Sequence, residues 1–261
     1  MITRVLAVGL LAGLLAGLTV AVLQAFTTTP IILKAEVFER GKAAPKASAS
    51  PRLQPALYRS TDMDARVILV HEGEQHAGET AAEAWSPGDG LERTLFTSTA
   101  TVATAIGFAL ILIAGMLAAG DTIEQRTAMA WAAAGFAATG LAPALGLSPE
   151  LPGMASGDLA GRQEWWMITA AATASALWLF LRADQLVLRL LSVPLALAPH
   201  LWGAPYHAAE AAKSGVPPEL AAQFAATSLA VQAILWVLTG FFVGLLWGRI
   251  GSWRPAAPAR G

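Results

Sequence analysis

The densest run of side chains able to do chemistry is His71-Glu72-Gly73-Glu74-Gln75-His76, followed closely by Glu79 and Glu83. Imidazole beside carboxylate is a donor set for first-row divalent cations, and affinity at such sites rises from Mn²⁺ through Co²⁺ and Ni²⁺ to Cu²⁺. The chain has no cysteine, which excludes disulfides, thiolate sites and thiol redox chemistry. The remaining ligand types do not choose among Co²⁺, Ni²⁺ and Zn²⁺. Further candidate donors are Glu36, Glu150, His200 and His207. Catalytic equipment is sparse. His71 and His76 are not the i, i+4 pair that a zinc hydrolase places on one helix face, no serine sits in a Gly-x-Ser-x-Gly context, and no Gly-x-x-x-x-Gly-Lys-Ser/Thr phosphate loop occurs. The expectation is a protein that is not an enzyme and carries no permanent cofactor.

The elements that must position these donors are dictated by composition. Hydrophobic residues make up 55% of the chain and charged residues only 13%, with a mean hydropathy of +0.54, which places it among membrane proteins. A formal net charge of −1 supplies no field for nucleic acid. The expected fold is all-α: a polytopic transmembrane helical bundle of about six spans, with five as the alternative count. One long extracytoplasmic insert follows the first helix. Residues 1–26 form the first transmembrane helix, 27–94 the insert, partly disordered, 95–248 the bundle and 249–261 a cytoplasmic tail.

Val5 to Ala25 carries no charge and is about as long as a bilayer is thick, longer than the h-region of a signal peptide. It reads as a retained helix, although Leu23-Gln24-Ala25 imitates a cleavage site. Gly9, Gly13 and Gly17 recur every fourth residue, as do Gly240, Gly244 and Gly248 near the other end. Each set lines one helix face that a neighbour can approach closely, so the first and last helices are candidates to pack on each other or on copies of themselves. Gly41 to Pro55 is Ala-, Ser-, Pro- and Lys-rich and reads as a mobile linker. Arg66 to Val70 reads as a short strand or helical turn. The later spans are expected at Leu95 to Ala119, Thr127 to Leu147, Trp165 to Leu181, Leu186 to Leu201, which Pro194 and Pro199 interrupt, and Ala221 to Trp247. Leu145 to Trp166, punctuated by Pro149, Pro152 and Gly153 and ending on paired tryptophans, reads as a turn at the bilayer surface. A faint repeat relates Leu141-Ala-Pro143 to Leu197-Ala-Pro199, as duplicated helix hairpins would produce.

Six spans put Arg4, Arg126, Arg182, Arg189, Arg249, Arg254 and Arg260 on one side and leave only Arg162 and Lys213 in the short connections of the other. The positive-inside rule makes the first side cytoplasmic, so both termini lie inside a bacterial inner membrane. All four histidines and the nearby carboxylates then face outward. No ionisable residue falls in mid-span, which argues against proton coupling through a buried carboxylate. Gln232 in the last span serves as a hydrogen bond between helices or as the lining of a path. Arg162, near Glu150 and Asp158, is expected to lock the outer connection by a charge-assisted hydrogen bond.

Several stretches together resemble one family. They are Trp85-Ser-Pro-Gly-Asp89-Gly-Leu-Glu92-Arg93-Thr94, Pro143-Ala-Leu-Gly-Leu-Ser-Pro-Glu150-Leu-Pro-Gly153, Arg162-Gln-Glu-Trp165-Trp166, Pro199-His200-Leu-Trp-Gly-Ala-Pro205 and Glu219-Leu-Ala-Ala-Gln-Phe224. The family is CbtA, the proposed membrane subunit of a cobalamin-regulated cobalt uptake system. The resemblance implies cobalt as substrate, a small single-span histidine-rich partner of the CbtB type, and about five spans. In that setting His71, Glu72, Glu74 and His76 collect the ion, and Glu150, His200 and either Glu36 or His207 pass it toward a pore between helices. The alternative is a membrane scaffold, with homo-oligomers among its forms, whose loop histidines are incidental.

Overall fold

The computed structural model describes residues 1–43, 87–88, 90–154, 158–205 and 215–250; these form helices and turns, with no strand among them. Helix α1, Ile2–Phe26, buries Val8, Gly9, Ala12, Gly13, Ala16, Gly17 and Val20. Its larger side chains Leu10, Leu11, Leu14 and Leu18 point outward. That is the reverse of a soluble amphipathic helix. Outward leucines cost nothing in lipid, where helices associate through small residues that let backbones approach.

Pro30 lacks an N–H, and its ring crowds the carbonyl of Phe26, so the rod breaks at Thr27 and restarts as α2, Thr28–Ala43. Helix α2 runs into the expected linker, whose remaining residues, like Arg66 to Val70, lie outside the described residues. Helix α3, Leu91–Ala118, begins inside the expected insert and returns antiparallel to α1, with Leu110, Ile106 and Val102 opposite Gly9, Gly13 and Gly17. Gly120, at φ 72°, turns the chain into α4, Gln125–Phe136. A π-helical turn, Ala137–Leu141, and the short α5, Ala142–Ala144, prolong α4.

Helix α6 is Leu159–Arg182, α7 is Leu186–Trp202 and α8 is Pro218–Ile250. Two of these differ from the sequence reading. The Asp158 carboxylate accepts the Gly161 N–H at 2.7 Å and starts α6 early, so Arg162 to Trp166 is helix rather than turn. Pro194 and Pro199 lie inside α7 without ending it.

Helices α1, α3 and α8 are long and apolar enough to cross a membrane. The π turn divides the α4 to α5 rod, α7 has only 17 residues, and Ala, Thr and Trp dilute the apolar content of α6. Helices α1 and α8 do pack together, through Ala16, Val20, Val231 and Leu235. Their glycines, however, face other partners. The α1 stripe meets α3, whereas Gly240 lies against Ala128 and Ala132 and Gly244 against Gln125 of α4; at Gly248 a Cβ would meet nothing within 4 Å. Helices α6 and α7 pair and join the rest of the bundle mainly through α5 and the π turn. One end of the bundle gathers the start of α1 and the end of α8, where Arg4 donates to the Trp247 carbonyl and lies over its ring. At the other end Ile31, Ala35, Leu151 and Val216 cluster.

Candidate functional site

The π turn has a cause in the sequence. In an unbroken α-helix residue 143 donates its N–H to the carbonyl of residue 139; proline has no N–H, and its ring presses on that carbonyl. Widening the turn over Ala137–Leu141 relieves the crowding, and Pro143 leaves the Thr139 carbonyl without its i+4 donor. Gln232 of α8 answers it, its Nε2 reaching the carbonyl at 3.5 Å. The Thr139 hydroxyl donates to the Gly135 carbonyl at 2.8 Å and accepts from Trp236 Nε1 at 3.1 Å. Residue 140 must be small, because a Cβ there would sit 2.9 Å from Gln232 Oε1 and from a ring carbon of Phe136.

Thr139, Gly140 and Gln232 form the floor of a cavity of about 520 Å³ lined also by Glu150, Arg162, Trp166 and Leu229. At its mouth Arg162 Nη1 and Glu150 Oε2 pair at 2.7 Å, each side chain 20% exposed. The pairing expected for Arg162 is therefore present with Glu150, while Asp158 caps α6 instead. The cavity offers one carboxylate balanced by a guanidinium at the top and neutral oxygens at the bottom.

Beside it, Trp165 is buried against Gly146, and its Nε1 donates to the Pro199 carbonyl at 3.1 Å. His200 stands edge-on to this ring, 5.7 Å between centroids, and is not among the residues that line the cavity. Glu36 pairs with Arg93 in a separate cavity of about 400 Å³ between the α1–α2 junction and α3, which also holds Gln24, Thr29 and Thr97. Glu36, Glu150 and His200 are thus each engaged by a different neighbour. His71, Glu72, Glu74, His76 and His207 lie outside the described residues, among which no group of three or more His, Cys, Asp or Glu could hold a metal ion. The Thr139 carbonyl was missed in the sequence; Pro143, four residues on, was its signal.

The opposite end carries a polar lock. Asp121 accepts from Trp131 Nε1 at 2.8 Å and pairs with Arg182, whose guanidinium stacks over Trp178. The Trp131 hydrogen bond first, then Arg182, holds the Asp121 carboxyl below its ordinary value.

A bundle whose closest helix contacts run through small residues and whose large apolar side chains lie on the outside defines a membrane-type helical protein. The chain belongs to the family described as "Probable cobalt transporter subunit (CbtA)", whose model matches residues 2–248. No curated protein and no solved structure matches it.

Proposed function

We propose that this chain is the integral membrane subunit of a cobalt uptake system, residing in the bacterial inner membrane with both termini in the cytoplasm. The match of residues 2–248 to a family of cobalt transporter subunits carries the reading. The bundle crosses the bilayer about six times, α4 to α5, α6 and α7 supplementing the three long spans. His71, Glu72, Glu74 and His76 collect the divalent ion from outside, and Glu150, His200 and either Glu36 or His207 hand it inward. A cavity whose mouth holds Glu150 supports entry from that side. For Glu150 or Glu36 to serve, the ion must compete with Arg162 or Arg93, so each handover exchanges one cation for another. The chain performs no covalent chemistry, and a small single-span histidine-rich subunit completes the system.

The test is accumulation of radioactive cobalt in cells lacking other cobalt importers. The cells express the chain with and without the small partner, and then with His71 and His76 both changed to alanine. Loss of uptake with the histidines, at unchanged membrane abundance, supports the capture role. No accumulation in any combination removes the uptake reading and favours a scaffold.

A further inference from the structure

We propose that the floor of the cavity is a way-station for the ion, built from the Thr139 carbonyl and the carboxamide oxygen of Gln232; this rests on the uptake reading above. In lipid an α-helix satisfies all its backbone groups internally, and irregular backbone persists only where it is buried in protein or lines a wet cavity. The π turn of Ala137–Leu141 meets that condition, because Thr139 and Gly140 line the cavity. Pro143 has removed the donor that would occupy the Thr139 carbonyl in an α-helix, and the replacement contact from Gln232 Nε2, at 3.5 Å, is at the long limit of a hydrogen bond. A half-turn of the carboxamide exchanges Nε2 for Oε1, and two oxygens then converge on one point. Gly140 leaves the room for this, since a Cβ there would crowd Oε1.

Two neutral oxygens suit a divalent cation that keeps most of its water, and the cavity, at about 520 Å³, has room for several water molecules. Neutral donors bind weakly enough for the ion to leave, which conduction requires. A carboxylate at this depth would instead trap it. The Thr139 hydroxyl is not a third ligand: it donates to the Gly135 carbonyl, accepts from Trp236 and so fixes the turn.

The experiment uses the full chain with its small partner and reads two quantities: radioactive Co²⁺ accumulation in cells, and Co²⁺ retained by the purified protein with His71 and His76 changed to alanine. Gln232→Leu is expected to cut accumulation at least tenfold at unchanged membrane abundance. Gln232→Glu keeps the shape, adds charge, and is expected to retain Co²⁺ at least tenfold more tightly while also transporting more slowly. If Gln232→Leu lowers abundance, the Gln232→Glu arm decides. Wild-type accumulation in both variants, or no tightening with glutamate, overturns the way-station and leaves the uptake reading standing. No accumulation by the unaltered protein overturns both.

Discussion

Gly13 of α1 and Ile106 of α3 meet backbone to backbone: a Cβ on residue 13 would fall 2.3 Å from Ile106 Cα and 2.6 Å from its nitrogen. No side-chain rotation relieves such a contact. Gly13→Leu should therefore separate α1 from α3 and cost about 1–3 kcal/mol or more. The check is thermal unfolding of the purified protein in detergent, with Gly248→Leu as the control, since nothing lies within 4 Å of a Cβ there. Equal midpoints for the two variants would contradict the packing described.

The Arg162–Glu150 pair makes a prediction by reversal. Arg162→Ala leaves a carboxylate only 20% exposed without its guanidinium and should lower both stability and cobalt uptake. Glu150→Arg combined with Arg162→Glu should recover part of the stability, with a coupling of about 0.5–3 kcal/mol. Unchanged stability and uptake in Arg162→Ala would make this an ordinary surface charge.

Trp236 is 3% exposed, stacks on Phe108 at 4.7 Å and donates to the Thr139 hydroxyl. Trp236→Phe keeps an aromatic ring but removes the donor and part of the buried indole, so it should cost more than the ~0.5–1.5 kcal/mol of one hydrogen bond. Trp236→Ala also empties the site and should cost about 3–5 kcal/mol. Thr139→Val combined with Trp236→Phe should be less than additive, because both remove one bond.

Asp121 sets an acid limit. Its carboxyl is depressed in the folded protein by Trp131 and Arg182, so its contribution is fully present above the unfolded-state value near 4. That contribution is lost as pH falls through the lower folded value. Asp121→Asn should lower the unfolding midpoint at neutral pH and flatten its decline on acidification. Parallel curves for the two proteins between about pH 5 and pH 2 would exclude the assignment.

Much of the bundle was legible beforehand because its signals are local. The uncharged runs located α1, α3 and α8, and the glycine spacing marked faces of close approach at every position but Gly248. What those faces approached was not local. Glycine says only that a backbone can come near, and the α1 and α8 stripes found α3 and α4 rather than each other. The start of α6 was misjudged because Trp165 and Trp166 suit either a surface turn or a helix, whereas the Asp158 cap acts from seven residues before the first of them. At the site, Glu150 and Arg162 stood out as charges in the outer connection, and Gln232 as a polar residue in an apolar span. The Thr139 carbonyl did not, since a backbone oxygen has no letter in the sequence.

By itself the sequence determined an all-helical membrane chain, the absence of thiol chemistry, a reservoir of imidazole and carboxylate, and the CbtA family. These follow from composition, run length and residue order, which need no partner to express them. Only the tertiary structure decided which glycine face meets which helix, that Glu150 and Glu36 are each held by an arginine, and that Gln232 lies opposite the carbonyl that Pro143 leaves without its helical donor. Those relationships join residues 12 to 119 positions apart, and only packing of the helices brings them together.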